Sequence, residues 1–287
     1  MRIFTPAKIN LTLEVLGKRS DGYHELATWM IPIALYDRLL IEPAAETVFE
    51  SNLPELQYDP TNLVMRAVDT FEKLSGNRQD YRIVLEKNIP IGAGLGGGSS
   101  DAAATLRLLN HIAADPISPQ TLLAAAAELG SDVAFFLEPR SAWCTGRGEK
   151  MEPRDFSKDR WVCLAKPGFE VPTAWAYAAY AKLPEGKKRA EAATTVWGDL
   201  CNDLEPAVFA KYLLLAEIKR WFQQQPETEI TLMSGSGSTT FAVARSAASA
   251  NALRERLAPT FGQNFWTFVG QLNPSPCLAV AEDAKTT

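Results

Sequence analysis

The chain has 287 residues, a net charge of −5, 46% apolar and 22% charged residues. It is too apolar for a disordered chain and too acidic for a protein that coats nucleic acid. The length predicts two domains, each able to bury its own core. Cys144, Cys163, Cys201 and Cys277 are scattered with no CxxC pair, and the only histidines are His24 and His111. That pattern argues against a structural zinc or a disulfide scaffold and for free thiols in a reducing compartment. The segment from Met1 to Lys8 has no apolar signal core, and no window reaches the roughly 18 apolar residues of a membrane span. The sequence therefore reads as cytoplasmic, with no membrane or nucleic-acid partner.

Ile9, Leu11, Leu13 and Val15 alternate with Asn10, Thr12 and Glu14, the period-two pattern of a strand with one buried face. Ser20-Asp21-Gly22 marks a turn. Residues 26–41, rich in Leu, Ile, Trp and Tyr, predict one or two more strands. Thr61 is placed to cap a helix that runs to Leu74 and stops at Gly76, and a strand follows at 81–86. Strands outnumber helices here, which predicts an α+β fold rather than a regular βαβ repeat. A glycine-rich loop at 92–98 leads into a helix over 99–113. A second helix has Ser118 as cap and Pro119 at its first position and ends at Gly130. Ser131-Asp132 opens a short apolar helix over 133–137.

The polar stretch 149–158, with Pro153, is the best domain boundary and divides the chain into 1–152 and 153–287. Beyond it the pattern predicts a strand at 161–165, a helix from Thr173 to Lys182, a charged loop at 184–191 and one helix over 206–223. Then come a strand at 230–233, a Gly/Ser loop, a strand at 240–244, a helix over 247–257 and a strand at 265–272.

Five glycines fall within residues 92–98, more than a tight turn needs. A strand that passes through glycines into a helix N-terminus offers free N–H groups and a positive dipole end, an anion site suited to phosphate. The Walker A spacing fails, because Gly98 stands where its lysine must be. Gly92-x-Gly94-x-x-Gly97 fits a dinucleotide fingerprint, but Asp115-Pro116 lies between two helices rather than at the end of a second strand. The sequence also lacks the HRD and DFG sets of protein kinases. What remains is a loop whose backbone cradles phosphate while the charge comes from elsewhere.

That loop, Pro90 to Ala103, resembles the second motif of the GHMP small-molecule kinase superfamily, P-x-x-x-G-L-G-S-S-A-A. Here Gly97-Gly98 precede the serines and Asp101 stands at the first alanine. The extended form is similar to the branch that phosphorylates a cytidine-diphosphate-linked methylerythritol in non-mevalonate isoprenoid synthesis. Pro6-Ala7-Lys8-Ile9-Asn10-Leu11 resembles the first motif, and Arg19-Ser20-Asp21-Gly22-Tyr23-His24 the substrate segment. Leu232-Met233-Ser234-Gly235-Ser236-Gly237-Ser238-Thr239 resembles the third motif. The four lie in order along nearly the whole chain.

The resemblance implies a two-domain GHMP fold with its active site in the inter-domain cleft, ATP and Mg²⁺ as cofactors, and small-molecule substrates. It does not imply metal ligands or choose between monomer and homodimer. The ATP phosphates would lie on Pro90, Gly92, Ala93, Gly94, Leu95, Gly96, Gly97, Gly98, Ser99 and Ser100. Asp132 would take the proton of the attacking hydroxyl, with Lys8 beside it. Read alone, Asp132 is more often a cap or first-turn carboxylate and Lys8 a solvated lysine. Tyr23 would stack on the cytosine, His24 would bond its edge, and Asn10 would lie nearby. Residues 167–177 resemble the family's P-G-x-x-x-P-T segment and bring Tyr177 to the second stacking position, where the family often has phenylalanine and where Trp175 competes. The loop Gly235-Ser236-Gly237 is either a hairpin turn or a wall against the first glycine loop. Residues 62–66 would line the adenine pocket, and His111 is structural.

Three other readings stay open at this level. One is a GHMP kinase for mevalonate, homoserine or a sugar, which would leave Tyr23-His24 without a base to hold. Another is an NAD(P)-dependent oxidoreductase that uses Gly92, Gly94 and Gly97. The third is a catalytically silent nucleotide-binding module, against which Lys8 and Asp132 argue.

Overall fold

Alternating apolar residues carry the chain into two long antiparallel strands, β1 (Arg2–Lys18) and β2 (His24–Pro43). The apolar run at 26–41 is thus one strand. Register shifts fall at Pro6/Ala7, Asn10/Thr12 and Val15/Gly17, on either side of Lys8 and Asn10. Such irregularities bend a strand and re-aim its side chains. The computed structural model describes residues 1–56, 61–156, 159–262 and 264–274, and Cys277 lies outside them.

After β3 (Val48–Ser51) come α1 (Leu63–Ser75), β4 (Tyr81–Glu86), α2 (Gly97–Ile112), α3 (Pro119–Leu129), α4 (Ser131–Leu137), β5 (Ala142–Gly146) and β6 (Lys150–Pro153). The first sheet runs β3-β4-β2-β5-β6, with β1 on the remaining edge of β2. The four helices bury Val68, Phe71, Leu106, Leu109, Phe135 and Phe136 against Leu39, Ile41, Ile83 and Leu85. Asn62, not Thr61, caps α1, its Oδ1 accepting the Val64 N–H at 2.9 Å. Helix α2 begins at Gly97 rather than Ser99, because Gly96 adopts the left-handed conformation that starts it. Residues 150–153 of the polar boundary stretch pair with β5 in the first sheet.

The second half contains β7 (Trp161–Pro167), α5 (Thr173–Ala181), β8 (Ala193–Thr195), β9 (Gly198–Leu200), α6 (Glu205–Lys211), α7 (Leu213–Gln223), β10 (Ile230–Met233), β11 (Thr240–Ala244), α8 (Ala247–Phe261) and β12 (Phe265–Gln271). Its antiparallel sheet runs β10-β11-β7-β12. The helix expected over 206–223 is two helices, because Tyr212 leaves helical geometry at φ −101° and ψ 68°.

The β1–β2 hairpin belongs to both cores. Its outer part packs under α1 and α2, while Ile9, Leu11, Ile31 and Ile33 pack on Val162, Leu164, Leu232 and Phe241. Single bridges join Leu13 to Asn202 and Ile33 to Leu272. Cys144 and Cys163 are buried free thiols pushed up to about 12 by burial, and Cys201 is pushed to about 11 by the same cause. All three are inert at neutral pH. Among the described residues no helix is long and apolar enough to cross a membrane.

Candidate active site

A cavity of about 1020 Å³ runs between the glycine loop and the turn that joins β1 to β2. Its walls include Lys8, Asn10, Tyr23, His24, Pro90, the loop from Gly92 to Ser99, Asp132, Tyr177, Gly235 and Ser236. Asn62, Leu63 and Val64 line it as well. Ser100 is buried behind the loop with its hydroxyl unpartnered, and Gly237 lies behind the third motif against Met233. His111 is exposed in the last turn of α2, away from the cavity.

The glycine loop is shaped by its neighbours. Gly92, Gly94 and Gly96 have φ of +61°, +74° and +73°, where a side chain would be strained. A Cβ on Gly96 would strike Phe136, and one on Gly97 would strike Ile89. The loop can therefore lie close to the core and still lead into the N-terminus of α2, whose free N–H groups favour an anion.

Lys8 is only 4% exposed. Its Nζ donates to Asn10 Oδ1 at 2.6 Å and to Gly94 O at 3.4 Å, and lies 3.3 Å from Asp132 Oδ2. Asp132 sits in the first turn of α4, with its carboxylate partly open to the cavity. Asn10 is fixed in turn, donating to Thr28 Oγ1 at 2.8 Å, and that hydroxyl donates to Thr12 O at 2.6 Å. An ammonium and a carboxylate this close on the cavity wall can act together on a hydroxyl placed beside them.

The third-motif loop is a wall against the first. Ser234 Oγ donates to Gly94 O at 2.9 Å, and the Thr239 N–H donates to Ala93 O at 3.2 Å. Its position depends on a residue that sequence reasoning missed. Asn202 is fully buried and donates from Nδ2 to both Met233 O and Gly235 O, each at 2.7 Å. Replacing Asn202 with Ala strips both buried carbonyls of that donor and is expected to cost about 2–4 kcal/mol. A lowered urea midpoint in a denaturation curve checks this, and an unchanged midpoint refutes it.

A buried ion cluster holds the floor beneath the loop. Lys87 Nζ pairs with Asp37 and, at 2.8 Å, with Asp101 Oδ2, while Asp101 Oδ1 accepts from the Thr5 hydroxyl at 2.7 Å. Asp37 also accepts the N–H groups of Asn88 and Ile89. Burial, with the Asp101 charge added, pushes Asp37 up to about 6. Burial alone would lower Lys87, but the two carboxylates outweigh it and raise the ammonium. The cluster explains why an aspartate stands at position 101: it ties the first turns of α2 to β1, β2 and the strand exit at Lys87.

At the opposite end, the His24 ring stacks on Tyr177 at 5.0 Å. Burial, assisted by Lys18 and Lys188, holds His24 below its ordinary value. At neutral pH it is therefore a neutral imidazole, with one donor and one acceptor. Tyr177 is raised by burial and by the Asp132 charge. Tyr23 remains 54% exposed, with the Arg147 guanidinium 4.9 Å from its ring centre. Trp175 takes no part in the cavity wall and packs edge-on against Tyr212.

Residues 62–138 match the family described as GHMP kinases N terminal domain. The 4-diphosphocytidyl-2-C-methyl-D-erythritol kinase of Methylacidiphilum infernorum (isolate V4) is 46% identical over 243 residues, which cover 84% of this chain and 85% of that protein. The enzyme of the same name from Caulobacter vibrioides (strain NA1000 / CB15N) is 37% identical over 279 residues, covering 92% and 96%. A crystal structure of 4-(cytidine 5'-diphospho)-2C-methyl-D-erythritol kinase has a TM-score of 0.79 and 33% identity, and the match covers 96% of this chain and 100% of that one. A mevalonate kinase structure with a TM-score of 0.67 and 13% identity shares the fold alone. With this identity over most of its length, the chain belongs to the 4-diphosphocytidyl-2-C-methyl-D-erythritol kinase family of GHMP kinases.

Proposed function

We propose that the chain transfers the γ-phosphate of ATP to the 2-hydroxyl of 4-diphosphocytidyl-2-C-methyl-D-erythritol, giving the 2-phosphate and ADP. The observation that carries this reading is one continuous cavity with a glycine-lined helix N-terminus at one end, three rings at the other, and Lys8 3.3 Å from Asp132 on its wall. The site then lies between segments 1–152 and 153–287.

Asp132 takes the proton of the 2-hydroxyl as that oxygen attacks phosphorus, and Lys8 stabilises the charge developing there. The loop N–H groups and the α2 N-terminus hold the ATP phosphates. Tyr23 and Tyr177 bracket the cytosine, and neutral His24 reads its edge. That remote binding orients the hydroxyl without touching it. Among the described residues no group of three or more His, Cys, Asp or Glu is arranged to hold a metal. Ser99 lines the cavity in the first turn of α2, whereas Ser100 is buried behind it. That lining fits a Mg²⁺ that would take most of its ligands from phosphate and water, with the Ser99 hydroxyl as the protein's oxygen. Bound Mg²⁺ supplies neutralisation of the triphosphate charge.

A coupled ADP-release assay with Mg-ATP tests the reading on the cytidine-linked substrate, mevalonate, homoserine and galactose. Turnover is expected on the first alone. Turnover on another alcohol instead, or on none, overturns it.

A further inference from the structure

Two stretches of chain at the ring end of the cavity are joined through one buried side chain. Asp203 is fully buried in the turn before α6 and lies outside the cavity wall. Its Oδ2 accepts the Val15 N–H at 2.9 Å, and its Oδ1 accepts the Ala190 N–H at 3.1 Å. Arg189 Nη1 donates to Asp203 Oδ2 at 3.4 Å and to Glu14 Oε2 at 2.8 Å, strapping the charged segment 184–191 to β1 from outside. The Asp203 N–H closes back onto Leu13 O at 2.9 Å. The end of β1 and the charged segment thus hang on opposite oxygens of a single carboxylate.

Both stretches reach the rings. Val15 O accepts the Tyr180 hydroxyl at 3.4 Å, and the Tyr180 ring stands edge-on to His24 at 6.3 Å. Lys188, the neighbour of Arg189, has its ammonium 6.0 Å from the Tyr180 ring centre. Its charge, with that of Lys18, adds to the burial that holds His24 low. Lys8 and Asp132 are held by other bonds. An amide cannot stand in for the Asp203 carboxylate. Both oxygens accept main-chain N–H groups, so an amide nitrogen at either place sets donor against donor. Asp203→Asn must release either Val15 or Ala190.

We propose that Asp203 is a positioning residue for the nucleoside: it ties the 184–191 segment to the end of β1 and so seats His24 and Tyr180. The inference rests on the cytidine-linked substrate proposed above.

The test compares the full chain with Asp203→Asn and with Arg189→Gln, which alters the exposed end of the same link. KM and kcat are measured for the cytidine-linked substrate and KM for ATP, beside melting midpoints. The His24 ring is titrated by NMR, where His111 gives the only other histidine signal. Asp203→Asn is expected to raise KM for the cytidine-linked substrate by about 10- to 30-fold, the lower part of the range for a lost hydrogen bond to a charged group. The kcat should stay within about 3-fold and KM for ATP within about 2-fold. His24 should titrate at higher pH, because the freed segment carries Lys188 away; loss of a nearby negative charge alone would move it the other way. Arg189→Gln should act in the same direction, with about a 2- to 5-fold rise in KM and an unchanged melting midpoint. Equal losses for both substrates, or a lowered midpoint with KM and the His24 titration unmoved, would mean a structural part only and overturns the proposal. If Asp203→Asn does not fold, Arg189→Gln decides, and an unchanged KM with an unmoved His24 overturns it. If the unaltered chain does not turn over the cytidine-linked alcohol, the reaction reading fails by itself; the His24 titration still decides whether Asp203 seats this end of the cavity.

Discussion

Asp132→Asn is expected to lower kcat by about 10²- to 10⁴-fold, the usual worth of a positioned general base, while KM for ATP stays within about 2-fold. The amide keeps the shape of the side chain in the first turn of α4 but cannot take a proton. Stability should fall modestly. The ion pair with Lys8 is 3.3 Å long, with the ammonium 5% and the carboxylate 29% exposed, so removing the charge that faces the buried ammonium costs about 1–3 kcal/mol. Lys8 keeps Asn10 Oδ1 as its partner. Steady-state kinetics beside a denaturation curve separates the two effects. Undiminished kcat would remove Asp132 from proton transfer. Lys8→Met should also lower kcat, and the two losses should not add, because the groups act on one oxygen as a unit.

Gly94→Ala is expected to be as damaging, by a different route. The added methyl would stand 2.2 Å from Ser234 O and 2.9 Å from Gly237 O, both backbone atoms, at a φ of +74°. No rotamer relieves that clash. The two loops must part, which breaks the Ser234–Gly94 and Thr239–Ala93 hydrogen bonds and loosens the carbonyl that faces Lys8. A fall in kcat/KM of at least about 10²-fold and a loss of roughly 2–4 kcal/mol follow from the clash, the strained φ and the lost bonds. Gly98→Ala is the internal control. Its Cβ would meet only Leu63 Cδ1, at 3.6 Å, inside the first turn of α2, so the fold should be kept. If Gly94→Ala melted at the same midpoint as Gly98→Ala, the apposed loops would not hold each other in place.

What the sequence made legible was local. Alternation at residues 9–15 placed β1. Ser118, Pro119 and Gly130 bounded α3, and Gly76 ended α1. Lys8, the glycine loop, Asp132, Gly235 and Ser236, all marked by the motifs, line one cavity. What stayed hidden was pairing at long range. Asn202 bonds carbonyls 31 and 33 residues away, and Lys87 meets Asp37 across 50 residues. No periodicity records such contacts. The kink at Tyr212 has no proline or glycine to announce it. Position 101 was visible as a departure from the family pattern, but its meaning required Thr5 and Lys87 in space.

The two-core hairpin has a consequence for synthesis. Ile9, Leu11, Ile31 and Ile33 leave the ribosome early, yet they are covered by Val162, Leu164, Leu232 and Phe241, and Ile33 is bridged by Leu272. At ordinary translation rates that delay is on the order of tens of seconds. Throughout it the ribbon can satisfy its mutual backbone pairing but not the burial of its second face. The segment made first is therefore among the last to be completed, and it is where wrong pairing with another nascent chain has the longest opportunity.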